Sequence, residues 1–321
     1  MSQNPPALSR AEQIAKILDT PRPGEENILA YYEHRLGAVS REPRLMLLPL
    51  DDHLAHRGDG IFETIKYEFG RLYGLDQHLE RMRRSAAGIF LEPPCSWERL
   101  RELIIGTAAA GGSATGQMRV LLGRGPGGFG VDPAECPDAS LYIIAYRFEP
   151  KPASWYAAGL KAFRSSIPAK QGYLARIKNA NYLPNVLMMR ETRERGLDVP
   201  ISFDGQGHIA ESAVANIGLV DRAGVLEVPE SGNSLAGTTM QRALELAEGV
   251  IPYRARPLAE DDIFAASEVL LLGTGPDCAA VVEYEGKTIG AGREGPVCAR
   301  LRAMIRADIP VSGVPVPGLV T

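Results

Sequence analysis

The segment ARIKNANYLPN, residues 175–185, places a lysine directly before a predicted helix. Pro184 stands near the start of the helical pattern at 183–195 and Gly196 follows its end, as is typical of a helix. A lysine such as Lys178 forms a Schiff base with a carbonyl cofactor only when its amine is partly desolvated. Taken alone, this position equally favours a solvated surface charge.

Two glycine-containing segments further along the chain predict an anion site. The sequence GTT at 237–239 precedes a helical pattern that runs to residue 248, so free backbone N–H groups and two hydroxyls face one place. An ordinary threonine cap is the alternative for this segment alone. The sequence GTG at 273–275 follows an apolar strand, where small residues let backbone amides approach a ligand closely. Together the two segments favour a bound phosphate.

The two halves of the chain have different patterns. The first half reads as α+β, with a helix that Asp76 could cap and with Arg81 beside its apolar stripe, and its strand-like runs stand at 45–48, 61–69, 117–122 and 140–146. After the break FEPKP at 148–152, strands and helices alternate. The predicted organisation is an N-terminal arm at 1–27, a small domain at 28–147, a linker at 148–153 and a larger domain at 154–321.

Length and composition are those of a globular protein. At 321 residues the chain exceeds the size at which one hydrophobic core stops growing, which favours two domains. Hydrophobic residues make up 45% and charged residues 23%, and no segment approaches the roughly 18 apolar residues of a membrane span. The first residues lack the pattern of an export signal, so we expect a cytoplasmic protein with no membrane partner.

Several other functions are not favoured by the sequence. The net charge of -4 provides no basic field for nucleic acid, and four scattered cysteines form no CxxC pair. His53 and His56 lack the further ligands of a metal site, so we predict no metal. The glycines of GRGPGG at 123–128 satisfy GxGxxG, but Pro126 interrupts them and no helix pattern follows. We interpret this loop as a flexible substrate loop.

Six segments together resemble the class IV pyridoxal-phosphate-dependent aminotransferases in order and spacing. They are HRGDGIFETIK (56–66), LDQHLERMRRSA (75–86), IKNANYLPN (177–185), ESAVANI (211–217), LAGTT (235–239) and LLGTG (271–275). The family includes branched-chain and D-amino-acid aminotransferases and aminodeoxychorismate lyase, and the resemblance extends from about residue 30 to 306. The words AYY, DDH, HRG, SIP and NYLPN make the plant D-amino-acid aminotransferase type the most similar.

The resemblance implies a role for each matching residue. Lys178 would form the internal aldimine with pyridoxal 5'-phosphate and move a proton between the substrate and the cofactor. Glu211 would pair with the pyridine nitrogen. The remaining cofactor-binding residues would be Arg81, Thr238, Thr239 and Thr274 at the phosphate, Tyr182 at the phenolic oxygen and Asn216, which orders the site.

The resemblance leaves the substrate residues open. Arg119 aligns with an arginine near the substrate in branched-chain members, and Arg124 with an arginine that binds the substrate carboxylate in bacterial D-amino-acid members. Either arginine could instead be a solvated loop charge. Phe62 stands where the bacterial D-amino-acid members carry a tyrosine, which is a departure from their pattern.

The implied fold is the two-domain fold type IV of pyridoxal phosphate enzymes, with a small α+β domain and a larger α/β-barrel-like domain. The implied activity moves an amino group from a D-amino acid or branched-chain amino acid to a 2-oxo acid. The alternatives are 4-amino-4-deoxychorismate lyase and a non-catalytic cofactor-binding protein. The family also implies a homodimer in which the loop at 123–130 reaches the partner's site.

Overall fold

A computed structural model describes residues 4–170, 172–230, 232 and 234–319 of the protein. Its strands are β1 (Ile28–Glu33), β2 (Ala38–Ser40), β3 (Gly60–Glu68), β4 (Arg71–Leu72), β5 (Gly116–Gly123), β6 (Ser140–Tyr146), β7 (Leu160–Arg164), β8 (Val199–Phe203), β9 (Ile209–Ser212), β10 (Asn216–Val220), β11 (Leu226–Pro229), β12 (Tyr253–Arg256), β13 (Glu268–Gly273), β14 (Asp277–Tyr284), β15 (Lys287–Thr288) and β16 (Val314–Pro315). The α-helices are α1 (Arg10–Asp19), α2 (His53–His56), α3 (Leu75–Gly88), α4 (Trp97–Gly111), α5 (Ala153–Ala158), α6 (Leu183–Arg195), α7 (Thr238–Ala247), α8 (Glu260–Ala265) and α9 (Pro296–Ser312).

The first sheet has the strand order β16-β4-β3-β5-β6-β1-β2 and is antiparallel throughout. Side chains of β5 alternate, so Met118, Val120 and Leu122 are buried on one face while their neighbours are more exposed. These three residues share a core with α4, where Leu100 and Ile104 are fully buried. Truncation of Ile104 to alanine would cost about 2–5 kcal/mol of unfolding free energy.

The second sheet follows the order β12-β11-β10-β13-β14-β7-β8-β9 and is mixed, because β7 lies parallel to both β14 and β8. Its central strands are almost wholly apolar, as expected of strands that are covered on both faces. One core contains Ile217 and Val269. The other contains Leu272 together with residues of α7 and α9.

Some sequence predictions are confirmed and two are wrong. Helix α6 spans Leu183–Arg195 as predicted and ends at Gly196 with φ 64°. The expected cap at Asp76 is wrong: Gly74 is the cap with φ 65°, a left-handed conformation that glycine adopts without strain. The expected strand at 45–48 is also wrong, because a 3-10 turn occupies Pro43–Leu45 and proline cannot donate to a strand ladder.

The end of the described chain returns to the first sheet. Strand β16 pairs with β4, and Val316 is buried in the same core as Leu100. The predicted boundaries at 28–147 and 154–321 therefore stay a prediction. None of the described helices is long and apolar enough to cross a membrane.

Candidate active site

A cleft of about 360 Å³ lies between the two sheets. Its volume falls within the roughly 300–1,000 Å³ that is usual for small-molecule sites. The cleft is lined by every predicted site residue except Arg124, namely Phe62, Arg81, Arg119, Lys178, Tyr182, Glu211, Asn216, Thr238, Thr239 and Thr274. Residues from distant parts of the sequence thus meet in one place.

Lys178 reaches the cleft because its segment pairs with the edge of β3. The Phe62 N–H donates to the Lys178 carbonyl at 3.0 Å, and the Ala180 N–H donates to the Gly60 carbonyl at 2.8 Å. The Lys178 N–H donates to the Ser85 hydroxyl of α3 at 3.2 Å. Three backbone contacts therefore fix the position of this lysine.

The Lys178 amine is surrounded by aromatic rings and charges. Its Nζ donates to the Tyr182 hydroxyl at 3.1 Å and lies 4.5 Å from the centre of the Phe62 ring. Burial lowers the pKa of Lys178 to about 8, Arg81 and Arg119 lower it further, and Glu63 and Glu211 oppose the change. A lysine with this pKa has an appreciable neutral fraction near neutral pH, which makes its amine a nucleophile.

Glu211 lies on β9 on the second-sheet side of the cleft. The Leu235 N–H donates to its Oε2 at 3.3 Å. Burial raises the pKa of Glu211, whereas this N–H and the charge of Lys178 act in the opposite direction. A buried carboxyl group of raised pKa can share a proton with a basic ring nitrogen.

The start of α7 and the loop after β13 form the phosphate end of the cleft. Thr238 and Thr239 open the helix after Gly237, and Thr274 faces the same space. The Asn216 side chain donates to the Leu235 carbonyl at 2.9 Å. A Cβ on Gly237 would overlap the Asn216 Oδ1, so only glycine fits there. Asn216 thus supports the helix start from behind.

Arg81 joins this end from α3. Its Nε and Nη2 donate to the Glu63 carboxylate at 2.8 and 2.6 Å, and its Nη1 donates to the Ala236 carbonyl at 3.2 Å. Glu63 also contacts His78, which in turn contacts Thr238. The cation therefore has a fixed orientation beside the helix start.

Glu63 and His78 were missed by sequence reasoning. Glu63 is a charged residue inside the apolar strand pattern GIFETIK, and an ionisable residue is rarely buried in a strand without a partner. His78 precedes Arg81 by three residues and so lies on the same face of α3. Both signals stood in segments that carry the family resemblance.

The opposite wall is formed by the first sheet. Arg119 on β5 lies opposite Thr64 of β3, and its guanidinium is 4.9 Å from the Phe62 ring centre. In the described part of the chain Arg119 has no ion-pair partner. The half-buried guanidinium is thus available to an anionic group that enters the cleft.

Arg124 lies outside the cleft. Its guanidinium pairs with the Asp59 carboxylate at 2.9 Å and donates to the Ile89 and Phe90 carbonyls at 2.7 and 2.8 Å. These contacts hold the end of α3 to the strand region around Asp59. A substrate role for Arg124 stays a prediction.

The donor chemistry of the cleft fits pyridoxal 5'-phosphate. A guanidinium and a helix start can bind the phosphate dianion, Glu211 can pair with the ring nitrogen, and Lys178 can react with the aldehyde. A Cβ on Gly275 would meet no atom within 4 Å, so this glycine borders open space where a ligand can approach the backbone.

Comparison with known proteins agrees with this chemistry. The model of the amino-transferase class IV family matches residues 60–284. The chain is 35% identical over 317 residues to a chloroplastic D-amino-acid transaminase of Arabidopsis thaliana, covering 96% of this chain and 83% of the relative. It is 28% identical over 255 residues to a putative branched-chain-amino-acid aminotransferase of Methanocaldococcus jannaschii, covering 78% of this chain and 87% of the relative.

Solved structures show the same fold. A branched-chain amino acid aminotransferase of T.th., solved with pyridoxamine 5'-phosphate, has a TM-score of 0.83 at 23% identity, covering 87% of this chain and 93% of the other. The 4-amino-4-deoxychorismate lyase from Pseudomonas aeruginosa has a TM-score of 0.75 at 22% identity, covering 87% and 98%. The predictions of fold, cofactor and enzyme class are confirmed, and this chain belongs to the class IV aminotransferase family of pyridoxal-phosphate-dependent enzymes.

Proposed function

We propose that the protein moves an amino group from a D-amino acid or a branched-chain amino acid to a 2-oxo acid, with Lys178 as its catalytic residue. The observation that carries this proposal is the position of the Lys178 amine, whose pKa is about 8, in one cleft with Glu211 and Arg81. When bound, pyridoxal 5'-phosphate supplies an aldehyde that combines with amines and a ring that accepts the electron pair of the substrate α-carbon.

Lys178 would carry out the proton transfers. Its Nζ takes a proton from the substrate α-carbon and returns it on the opposite side of the reaction, as a general base and then an acid. The Tyr182 hydroxyl, 3.1 Å away, keeps the amine in place between these steps. Burial raises the pKa of Tyr182 to about 12, so this hydroxyl stays protonated and can donate to a cofactor oxygen.

The other cofactor residues would bind and orient. Glu211 holds a proton at the ring nitrogen, which favours electron withdrawal from the substrate. The phosphate is held by Arg81 and by the N–H groups and hydroxyls at Thr238, Thr239 and Thr274. Asn216 supports them by its bond to the Leu235 carbonyl.

Arg119 is the better of the two arginines for the substrate carboxylate. It lines the cleft beside Phe62, whereas Arg124 is already paired with Asp59. Coulombic contact between Arg119 and Lys178 places the two cations near each other. A carboxylate held by Arg119 would keep the amino acid close to the Lys178 amine.

A homodimer is supported by the outer face of α6. Leu183, Val186 and Leu187 lie at spacings of three and four residues and are 67%, 59% and 37% exposed. Exposed apolar groups on one helix face are typical of protein interfaces. Sedimentation at micromolar concentration should give twice the monomer mass, and a monomer would contradict the proposal.

The cytoplasmic location is supported by the cysteines. Cys278 and Cys298 are buried thiols and Cys95 and Cys136 are partly exposed free thiols, a usage typical of a reducing compartment. Cell fractionation with antibody detection would test this proposal, and recovery with membranes or in the medium would contradict it.

The test of the activity is the visible spectrum of the protein reconstituted with pyridoxal 5'-phosphate. D-Alanine, L-leucine, L-glutamate and aminodeoxychorismate are added one at a time. Loss of the absorbance of the lysine-bound cofactor with one amino acid, restored by a 2-oxo acid, supports transamination and identifies the handedness of the donor. Release of pyruvate from aminodeoxychorismate with no reaction of the amino acids would support the lyase instead. A protein that binds the cofactor without any turnover would be a carrier.

A further inference from the structure

Glu63 and His78 form a buried hydrogen-bonded network behind the phosphate end of the cleft. Glu63 accepts from Arg81 at 2.6 and 2.8 Å, and its Oε2 lies 2.7 Å from the His78 Nδ1. The His78 Nε2 lies 3.2 Å from the Thr238 hydroxyl. Glu63 is 1% exposed and His78 is 3% exposed. The network thus joins β3, α3 and the first residue of α7.

The charges of the network fix the position of its protons. Burial opposes the ionisation of Glu63, but Arg81 and His78 bring its pKa to about 2, so at neutral pH this carboxylate only accepts hydrogen bonds. The His78 Nδ1 must therefore carry a hydrogen. Burial lowers the pKa of His78, so the ring is neutral and its Nε2 accepts a hydrogen bond.

This arrangement commits the hydroxyl of Thr238. The hydroxyl has one hydrogen, and His78 Nε2 is the acceptor at 3.2 Å, so Thr238 donates to the histidine. A phosphate oxygen accepts hydrogen bonds and cannot replace that donor. The backbone N–H of Thr238 is what the helix start then presents to an anion.

We propose that His78 is a positioning residue for the cofactor phosphate, which holds the start of α7 at a fixed place beside Arg81 without touching the cofactor. The inference rests on the proposed function, because it assumes that the phosphate binds between Arg81 and α7. Its physical basis is that two donors from different helices bind one anion well only when their separation is fixed.

Exchange of His78 for asparagine is the sharpest test. Both side chains are neutral, so the change alters no charge near the phosphate. The shorter amide can still donate to Glu63, but it no longer reaches Thr238. We expect the Kd for pyridoxal 5'-phosphate to rise about tenfold, the scale of one lost buried hydrogen bond, whereas the Kd for pyridoxal, which lacks the phosphate, changes less than about twofold. Equal losses for both ligands, or no loss, would overturn the proposal.

A second variant keeps the test independent of the folding of H78N. In Thr238→Val the hydroxyl is replaced by a methyl group of similar size, and we expect the same selective loss. If His78 acts through Thr238, the double variant binds about as weakly as either single variant, because neighbouring residues that share one contact are not additive. Multiplied losses in the double variant would show that the two residues act separately.

His53→Asn is the matched control. His53 is 1% exposed, and its Nε2 is 3.0 Å from the Gly128 carbonyl, away from the phosphate end. The ratio of the two Kd values should stay that of the parent. A parent protein that binds pyridoxal as tightly as its phosphate would refute the proposed cofactor site itself. A parent that prefers the phosphate, with an unchanged H78N, would refute only the role of His78.

Discussion

The two ends of the cleft are built in different ways. At the phosphate end, Arg81 is bonded to Glu63 and to the Ala236 carbonyl, and Thr238 is bonded to His78. At the substrate end, Arg119 stacks on Phe62 and lies on a single face of one sheet. The difference indicates that the phosphate end is rigid before any ligand binds, whereas the substrate end is left open to an anionic partner.

Substitutions at the two ends should have different effects. Loss of one residue at the phosphate end leaves buried partners unsatisfied, because its hydrogen bonds are shared between helices and strands. Loss of Arg119 leaves no such partner behind. Changes at the phosphate end should therefore alter cofactor binding, and changes on the wall of the first sheet should alter substrate use with the cofactor still bound.

The largest effect is expected for Lys178→Ala, which lies where the two ends meet. Without the amine there is no covalent attachment and no proton carrier, so turnover should fall by about 10³-fold or more and the absorbance of the lysine-bound cofactor should disappear. Lys170→Ala is the control, because Lys170 is a half-buried lysine that contacts the Tyr182 ring at 4.4 Å. A Lys178 variant with normal turnover would refute the mechanism.

Glu211→Gln should separate cofactor binding from catalysis. The phosphate contacts remain, so the Kd for the cofactor should change little, whereas kcat should fall about 10²–10³-fold because the ring nitrogen loses its anionic partner. Stopped-flow absorbance during one half-reaction would measure this step. A variant that loses the cofactor instead would show that Glu211 belongs to binding rather than to electron withdrawal.

Arg119→Gln tests the substrate end. One charge-assisted hydrogen bond to a carboxylate is lost, so KM for the amino acid should rise about 10- to 100-fold with the cofactor affinity unchanged. Arg124→Gln is the comparison variant and should leave KM within about threefold if Arg119 is the carboxylate ligand. The opposite ranking would assign the substrate to Arg124 and would place the carboxylate outside the present cleft.

The smallest effect concerns pH. Attachment of the cofactor requires the neutral amine of Lys178, and its pKa of about 8 lies below the usual lysine value because burial disfavours the ammonium form. The rate of attachment to the cofactor-free protein should therefore rise about tenfold from pH 7 to 9 and level off above that. An unshifted lysine would give a rise of about a hundredfold over the same range without levelling off.

Part of the fold could be predicted from local sequence. Helix α6 was predicted at its observed bounds, because Pro184 and Gly196 mark its ends through backbone conformation alone. The turn at Pro43 and the cap at Gly74 were not predicted, since both depend on how the chain enters the first sheet and not on the residues' own preferences. The return of β16 to the first sheet is a contact over more than two hundred residues, which no local pattern indicates.

The sequence by itself determined the family and the residue types of the site, because Lys178, Glu211 and Arg81 stand in motifs with fixed spacing. Only the tertiary structure brought these residues together in one cleft, separated Arg119 from Arg124, and revealed His78 as the link between Arg81 and Thr238. The physical reason is that hydrogen bonding and burial depend on which elements pack together, whereas a motif records only the residues that chemistry requires.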